Sequence, residues 1–597
     1  MKTLRPIIFI NLLLFSFGSL SAQNAATNYL SVNNVRALIR ANGHHFWDMQ
    51  GSSEYEVPEG SSKTTIYTNT LWIAGQDSTN QLYLSAERYR DNGKDYTTGP
   101  LTTDGTMSTT SQTINAYDSV WVVYRSMIDQ HKAWAADTSG MPNYTIPGEI
   151  KNWPAHGDTT KNQSFYLAPF EDVNSNGVYD PKNGDYPIIR GDQAIFFIFN
   201  DAGVPNTESG GTPLGIEIHG MAYAFDCPKS EAFDHTIFMN YKIYNRSPRD
   251  YHNTYLSLFT DFDLGYAYDD FIGSDVQRGS IYAYNGKPID GNGGVSHYGQ
   301  NPPAQSMTLL GGPRMDADGV DNPDGQCDYS INGMNFGNNV ADDERLGLTG
   351  FVYFNNVSTG NPPAITDPET ALDYYQYMNY MWKDSTHFRY GGNGYDSTAY
   401  GPECRFMFPG NSDTCNWGTD GVQPNGPANW TEVSENNTTF DRRGVAISGP
   451  FTLESGEMEE LDFAFVYGRD TTAADSTGHL ASIEAMQANI DSVRKYFMMN
   501  QSPCGGLIIT SSGKPAKKTA MDLSVYPNPA NQHLNVELEK PDTYQYRVYD
   551  LFGRIVKHKT IKHESKFQIN IEGLPSGVYV LHVISPKAEI TKKFIKQ

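Results

Sequence analysis

Residues 236–245 read TIFMNYKIYN and residues 254–263 read TYLSLFTDFD, and these two neighbouring runs decide the fold class. In both, large apolar or aromatic residues alternate with polar ones, which is the period-two pattern of a half-buried β-strand. Similar runs recur between residues 60 and 470, separated by Gly, Pro, Asn and Asp: TIYTNTLWIAG (65–75), QLYLSAERYR (81–90), QAIFFIFND (193–201), GIEIHGMAYAF (215–225), TGFVYFNN (349–356) and ELDFAFVYG (460–468). The sequence therefore predicts a mainly β protein, with a multi-domain antiparallel β-sandwich body and few helices.

Two segments have helical rather than strand periodicity. Residues 479–499 carry an apolar stripe at three- and four-residue spacing, made of Leu480, Ile483, Met486, Ile490, Val493 and Phe497. Such a stripe is typical of a helix that packs on a sheet. Residues 371–383 are a weaker helix candidate, with Leu372, Tyr375 and Trp382 near one face.

Length, composition and charge indicate how many domains the chain can form and which partners it can bind. A chain of 597 residues is long enough for two to four domains. Aromatic residues make up 13% of it, which is too many for a disordered chain, although the mean hydropathy is −0.52. The whole chain carries −24, and its two ends, residues 1–22 and 521–597, carry +2 and +3, so residues 23–520 carry −29. This charge repels nucleic acid and anionic membranes and favours divalent cations.

The N-terminus has the pattern of a signal peptide, residues 1–22. Lys2 and Arg5 precede an apolar run over residues 6–20, and small residues predict cleavage between Ala22 and Gln23. A retained membrane anchor is the weaker alternative, because the run is shorter than the roughly 20 residues that cross a bilayer. We expect no transmembrane segment in the mature protein.

Five cysteines in so long a chain do not frame the fold. Cys404 and Cys415 are close enough in sequence to close a small disulfide loop, whereas Cys227, Cys327 and Cys504 have no obvious partners. The odd count leaves at least one thiol free or intermolecular.

The C-terminal part differs from the body, residues 23–501. Residues 502–520, SPCGGLIITSSGKPAKKTA, have the composition of a linker. Residues 521–597 then contain seven short strand-like runs broken by Pro-Asn-Pro, Phe-Gly and Pro-Ser-Gly. This pattern predicts a small immunoglobulin-like β-sandwich.

This terminal segment resembles the type A C-terminal sorting domain of type IX secretion cargo proteins. The resemblance covers four ordered blocks: YPNP (526–529), VYDLFGRIV (548–556), GLPSGVYVL (573–581) and the basic ending TKKFIKQ (591–597). The residues that match the sorting motif are Tyr526, Pro527, Asn528, Pro529, Gly553, Gly577, Tyr579 and Lys593. An ordinary immunoglobulin-like adhesion module would not explain the ordered blocks.

The resemblance implies export in two stages, first through the signal peptide and then through the outer-membrane translocon that reads the sorting domain. It also implies removal of that domain by a surface peptidase, with the body either released or attached to surface lipopolysaccharide. The body is similar to other large, uncharacterised cargo proteins in the blocks 71–90, 172–193, 261–275 and 441–457. No activity follows from that similarity.

The stretch DVNSNGVYDPKNGD, residues 172–185, is the first candidate metal site. Oxygen-bearing side chains stand at loop positions 1, 3, 5 and 9, with Gly177 at position 6, as in a calcium loop: Asp172, Asn174, Asn176 and Asp180. Position 12 is Asn183, which cannot give a bidentate carboxylate, so Asp185 is expected to replace it. The alternative is a pair of turns without metal.

Two further acidic clusters are weaker candidates for structural calcium. The second choice is Asp316, Asp318 and Asp321, with Asp342, Asp343 and Glu344 shortly after them. The third is Asp261 and Asp263, with Asp269, Asp270 and Asp275, which follows a predicted strand. Acidic residues around glycine are also common in solvated turns.

The sequence has none of the metalloprotease, serine hydrolase or phosphate-loop signatures. Glu217 and His219 alternate on one predicted strand, where a buried hydrogen-bonded pair or a surface pair is favoured over an acid-base couple. His44 and His45 could serve a site, but no partner can be named from the sequence. The aromatic residues Trp72, Trp382, Trp417 and Trp430 could stack on sugars, although filling a core is their commoner role.

Two functions remain open. The first is a calcium-stabilised structural, adhesive or binding protein that is secreted or attached to the outer-membrane surface, with glycan or a matrix polymer as its partner. The alternative is a secreted hydrolase that acts on polysaccharide or protein, since dispersed catalytic residues leave no local motif.

Overall fold

A computed structural model describes residues 25–90, 93–324, 332–356, 361–395, 397–424, 426, 429–505, 519–520, 523–549, 555–584 and 588–597. The predicted signal peptide with its cleavage site at Ala22 and Gln23, most of the predicted linker, and Gly553 of the sorting motif lie outside these residues.

The body strands are β1 (Thr27–Leu30), β2 (Arg36–Arg40), β3 (Tyr55–Glu56), β4 (Thr64–Gln76), β5 (Leu82–Ala86), β6 (Thr97–Thr98), β7 (Trp121–Tyr124), β8 (Phe170–Glu171), β9 (Tyr186–Pro187), β10 (Gln193–Asn200), β11 (Ile216–Ala224), β12 (Thr236–Asn245), β13 (Tyr251–Phe262), β14 (Asp270–Asp275), β15 (Ser280–Asn285), β16 (Ile289–Asp290), β17 (Gly299–Gln300), β18 (Ala304–Gly311), β19 (Gly350–Phe354), β20 (Arg442–Leu453) and β21 (Met458–Gly468).

The helices are α1 (Ser111–Ala116), α2 (Arg125–Ala136), α3 (Gly148–Lys151), α4 (Glu231–Asp234), α5 (Ala371–Met378) and α6 (Gly478–Met498). Short 3-10 turns occur at Thr159–Lys161, Pro181–Asn183, Ala267–Asp269, Pro363–Ile365 and Trp417–Thr419. The prediction of a mainly β body with few helices is confirmed.

Two large antiparallel sheets form the body. The first runs β1-β2-β3-β4-β13-β20-β19, with β5 also paired to β4. The second runs β14-β15-β18-β21-β12-β11-β10-β6, with β7 also paired to β10. Neighbouring strands in each sheet are often far apart in sequence, and strands of the two sheets alternate along the chain.

The second sheet is buried on both faces, which the prediction of half-buried strands missed. On β10, Ile195 and Phe197 enter the core shared with the first sheet, whereas Phe196 and Ile198 enter a second core on the opposite face. Alternate residues of a strand point to opposite faces, so a run such as QAIFFIFN is apolar throughout only when both faces are covered.

Helix α6 covers part of that second face, close to its predicted bounds. Met486, Ile490 and Val493 are fully buried against the sheet, as their spacing predicts. The prediction was wrong at Leu480, which is 40% exposed, because near the start of the helix Ser482 faces the sheet instead and is fully buried.

Helix α5 is shorter than predicted and faces a different way. It ends at Met378, so the fully buried Trp382 lies beyond it, and Leu372 is 57% exposed. The twelve-residue helix α2 was not predicted.

The predicted disulfide between Cys404 and Cys415 is wrong. Cys404 is a buried free thiol, and Cys415 is disulfide-bonded. Cys227, which follows β11, forms a disulfide with Cys504, which follows α6. The long-range pairing brings together two segments 277 residues apart, which sequence spacing does not show.

The C-terminal segment forms its own six-stranded sheet. Its strands are β22 (Thr519–Ala520), β23 (Leu523–Tyr526), β24 (His533–Tyr549), β25 (Ile555–Asn570), β26 (Gly577–Ile584) and β27 (Ala588–Lys596). Four of the seven short strands predicted are in fact two long ones, β24 and β25, whose pairing shifts register between Glu537 and Tyr544. Residues from both halves of β24, such as Val536 and Val548, share one core.

Among the residues that the structure describes, no helix is both long and apolar enough to cross a bilayer.

Candidate ligand-binding pocket

Three carboxylates meet at one end of the first sheet. Asp261 lies near the end of β13, Asp263 follows that strand, and Asp441 immediately precedes β20. Strands β13 and β20 are antiparallel and place Asp261 directly opposite Arg443, so the end of one strand meets the start of the other. One oxygen from each carboxylate lies within 4.8 Å of the other two.

Arg443 contacts the carboxylate cluster, which consists of Asp261, Asp263 and Asp441. Arg443 donates from Nη2 to Asp441 (2.9 Å) and from Nε to the hydroxyl of Tyr89. The Tyr89 hydroxyl in turn donates to Oδ2 of Asp261 at 2.8 Å. Oδ1 of Asp261 and Oδ1 of Asp441 are buried and accept no hydrogen bond within the described part of the chain.

Three aromatic rings form the wall beside the carboxylate cluster. The ring centroids of Trp47 and Tyr67 are 5.5 Å apart, and that of Tyr89 is 6.1 Å from Tyr67. On β4, the register with β13 passes from Thr68 to Ile66 and skips Tyr67. Such a bulge re-aims a side chain, and bulges are frequent next to binding sites.

The rings, the carboxylate cluster and Arg443 enclose a cavity of about 300 Å³ that opens to solvent. Burial raises the pKa of Asp261 well above its ordinary value, with Asp441 and Asp263 adding to the rise and Arg443 opposing it. Burial and the neighbouring Asp441 also raise the pKa of Asp263, to about 7. The site therefore holds closely spaced acidic groups that repel one another when ionised.

The first predicted calcium loop is folded around its own side chains. The Asp172 carboxylate accepts the N–H of Asn176 (3.1 Å) and of Gly177 (2.6 Å). The side-chain amides of Asn176 and Asn174 donate to the Asp180 carboxylate at 3.1 and 3.4 Å. Gly177 has a φ of +79°, which the turn requires. Four predicted ligands are thus gathered on one loop.

Asp185 lies buried beneath this loop and holds its two ends. Its oxygens accept the backbone N–H of Val173 and of Asp180, both at 2.9 Å. Burial raises the pKa of Asp185.

The second predicted cluster is spread over separate contacts. Asp316 accepts the backbone N–H and the hydroxyl of Thr452, and Asp321 accepts the N–H of Gly337 and Asn339. Asp318 accepts the N–H of Val320 within its own turn.

Only part of the third predicted cluster comes together. Asp269, Asp270 and Asp275 bond elsewhere, to Gly291, Leu264 and Arg278 respectively. In the described residues, Asp261, Asp263 and Asp441 are the one set of three such ligand groups within 4.8 Å of one another.

Glu217 and His219 of β11 form a buried hydrogen-bonded pair, one of the two arrangements that the sequence favoured. Glu217 is fully buried and accepts from His219 (2.8 Å), Arg246 (2.7 Å) and the N–H of Leu101 (2.8 Å). Despite the opposing effect of burial, Arg246 and His219 lower the pKa of Glu217 to about 2.

The other candidate side chains lie in the core. His44 and His45 have no exposed surface, and His45 bonds the hydroxyl of Tyr241 at 2.9 Å. The four tryptophans considered for sugar stacking are all buried: Trp72, Trp382, Trp417 and Trp430.

Sequence reasoning found Asp261 and Asp263 but missed the rest of the pocket. Asp441 is 178 residues beyond Asp263, counting along the numbering, and no local motif joins them.

Asn528 of the C-terminal sheet fastens its last strand. Its amide donates to the carbonyl of Lys593 at 3.3 Å, and its carbonyl oxygen accepts the N–H of Ile595 at 2.9 Å. The Tyr-Pro-Asn-Pro block and the basic ending, far apart in sequence, therefore form one contact. Tyr526 is exposed, and its hydroxyl donates to Glu537 at 3.3 Å.

Tyr579 is a buried anchor of the same sheet. Its ring lies 5.6 Å from that of Phe594, and its hydroxyl donates to the carbonyl of Pro575 at 2.8 Å. Gly577 begins β26 opposite Lys596.

Residues 524–597, which include these contacts, match the family model described as the secretion system C-terminal sorting domain. This segment is a type IX sorting domain. The sorting domain indicates export to the cell surface or the extracellular space and implies contact with the type IX secretion machinery.

Beyond the sorting domain, the comparisons are weak. No curated protein matches the chain. A DUF3244 family protein with an immunoglobulin-like β-sandwich fold from Bacteroides vulgatus is 22% identical, with a TM-score of 0.12, and the match covers 14% of this chain and 98% of that one. A polysaccharide lyase is 7% identical, with a TM-score of 0.18 and coverage of 66% and 36%. Dimeric latent PorU from Porphyromonas gingivalis is 11% identical, with a TM-score of 0.11 and coverage of 68% and 31%. Similarity this low supports no argument about the body.

Proposed function

We propose that the body of this exported protein is a calcium-stabilised binding module, and that its pocket beside the carboxylate cluster holds a polyhydroxylated ligand such as a segment of polysaccharide. The observation that carries the proposal is the combination of three aromatic rings, three carboxylates and one guanidinium around a cavity that opens to solvent. Aromatic faces offer flat apolar contact area, and charged groups form strong hydrogen bonds with hydroxyls. An open site suits a length of polymer better than an enclosed small molecule.

Binding to a panel of soluble polysaccharides tests the proposal. We expect Trp47→Ala and Tyr67→Ala to weaken binding of the polysaccharide that the wild-type chain retains by at least about fivefold, since a lost stacking contact is worth about 1 kcal/mol or more. Tyr268→Ala is the matched control, because Tyr268 is an exposed tyrosine outside the pocket. Equal loss in the control, or no loss in the pocket variants, would reject the pocket as the binding site.

The proposed calcium site is the loop of residues 172–185. The loop gathers oxygen-bearing side chains, and hard oxygen ligands suit calcium. We expect a chelator to lower the melting temperature of the full chain, and Asp172→Ala with Asp180→Ala to remove most of that effect. A melting temperature that the chelator leaves unchanged would contradict a structural calcium ion.

A secreted hydrolase is the second candidate. The raised pKa of Asp263, about 7, would leave this carboxyl partly protonated near neutral pH, as a general acid requires. Incubation of the same panel, and of casein, with the full chain distinguishes the two functions. New reducing ends or peptides that the wild-type chain produces and Asp263→Asn does not would establish hydrolysis. That result would reject the proposal that the body is only a binding module.

The final location of the body is also proposed. After export, a surface sorting peptidase would remove the sorting domain, and the body would be released or attached to surface lipopolysaccharide, where it would bind glycan or matrix polymer. The sorting domain supports the export step; the attachment can be read from the mass of the body recovered from cells and from medium.

A further inference from the structure

We propose that the carboxylate cluster of Asp261, Asp263 and Asp441 binds a hard divalent cation, with calcium as the extracellular candidate. This site is separate from the loop of residues 172–185. The inference does not depend on which ligand enters the pocket.

The spacing of the carboxylate cluster fits one ion. Calcium lies 2.3–2.6 Å from its oxygen ligands, so two oxygens on the same ion are at most about 5 Å apart. One oxygen of each of the three carboxylates already lies within 4.8 Å of the others. Carboxylate oxygens are hard ligands, which favour calcium, magnesium or manganese over softer metals.

Buried oxygens that accept no hydrogen bond provide a second and independent indication. Asp261 is 3% exposed, and its Oδ1 accepts no hydrogen bond from any described residue, while Nε of Arg443 lies 3.8 Å away as an ion-pair partner. Asp441 is half-buried, and its Oδ1 is buried and likewise accepts no hydrogen bond from any described residue. A buried charged oxygen that accepts no hydrogen bond is costly, and a bound cation would satisfy both atoms at once.

The charge of the pocket gives a third indication. Its lining carries three carboxylates and one guanidinium, that of Arg443. When all four groups are ionised, two negative charges remain uncompensated, and one divalent cation balances them. Arg443 holds Asp441 through Oδ2, so its contact leaves the Oδ1 side of that carboxylate available.

The position of the aromatic wall makes the ion detectable. Trp47, Tyr67 and Tyr89 line the same cavity, so light absorbed by these rings can sensitise the luminescence of terbium bound at the carboxylates. Terbium is therefore a suitable probe for occupancy, and calcium chloride is the competing ion.

The experiment uses the full chain stripped of metal with a chelator. In a chain that carries Asp172→Ala and Asp180→Ala to remove the other proposed site, we expect excitation of the aromatic residues to give terbium luminescence that calcium displaces, and Asp261→Asn with Asp441→Asn to reduce this signal at least fivefold. Asp263→Asn alone, at a partly exposed position, should weaken the affinity at least tenfold. Circular dichroism checks that each variant is folded. Wild-type luminescence and affinity in these variants would overturn the proposal.

A variant with an intact pocket keeps the proposal open to refutation even if the carboxylate variants do not fold. Asp172→Ala with Asp180→Ala removes the other proposed site and leaves the pocket untouched. Calorimetric titration of this protein with calcium chloride should still show one bound ion. Absence of calcium binding would overturn the proposal. Failure of the wild-type chain to bind any polysaccharide, with calcium binding retained, would reject only the proposed ligand.

Discussion

Removal of the Cys227–Cys504 disulfide should lower the stability of the body by several kcal/mol. The two cysteines are separated by 277 residues. For a closed loop of that length, the loss of denatured-state entropy corresponds to about 5.6 kcal/mol at 25 °C, and measured effects are usually smaller, so we expect about 3–5 kcal/mol. With roughly 480 residues in the body and about 2.1 cal/mol/K of unfolding entropy per residue, this loss lowers the melting temperature by about 3–5 °C.

The cleanest variant is Cys504→Ala, because Cys504 is exposed whereas Cys227 is fully buried. The single change opens the disulfide and leaves the buried sulfur of Cys227 in place. Reduction with dithiothreitol is less specific, since Cys415 is also disulfide-bonded. Cys404→Ala serves as the control for loss of a cysteine side chain without loss of a disulfide, because Cys404 is free.

Thermal unfolding of the full chain, followed by near-ultraviolet circular dichroism, measures the effect, and mass spectrometry confirms the disulfide in the wild type. A melting temperature for Cys504→Ala within about 1 °C of the wild type would refute the reasoning. Such a result would mean that the Cys227–Cys504 disulfide does little to reduce the conformational entropy of the unfolded chain.

Three further outcomes follow from the structure. The pKa of Glu217 is lowered from 4.5 to about 2, so the ionised carboxylate stabilises the fold above pH 4.5. This contribution, roughly 3 kcal/mol, is lost as the pH falls toward 2. The free energy of unfolding from urea melts should therefore differ less between pH 6 and pH 3 for Glu217→Gln than for the wild type. Ile490→Ala, at a fully buried position of α6, should destabilise the body by about 2–5 kcal/mol in the same melts, whereas Leu480→Ala should change stability by less than about 1 kcal/mol. Deletion of residues 521–597 should leave the body in the periplasm, and its appearance in the medium would contradict export through the sorting domain.

Local patterns in the sequence were enough for much of the fold. Alternation identified the main body strands, and the spacing of Met486, Ile490 and Val493 identified α6. The burial of side chains at the start of α6 was less predictable, as the exposed Leu480 shows. The spacing of apolar residues does not say which of them the neighbouring sheet contacts.

The pocket could be predicted only in part, for a physical reason. Asp261 and Asp263 are adjacent in sequence, but Asp441 reaches them through the pairing of β13 with β20, and Tyr67 reaches the wall through a bulge. Neither contact has a local signature. The sorting domain was recognisable because its contacts, such as that of Asn528 with the last strand, lie in short blocks of fixed order.

The order of the strands also sets when the body can be completed. Strand β20 lies between β13 and β19 in the first sheet, and β21 lies between β18 and β12 in the second. In the described part of the body these two strands come last in the chain, and each pairs with strands that precede it in sequence. A polypeptide delivered from its N-terminus therefore emerges with two unfinished sheets until residue 468 has passed. The sorting domain arrives only after these closing strands, so a chain that presents its export address has already received every strand its body needs.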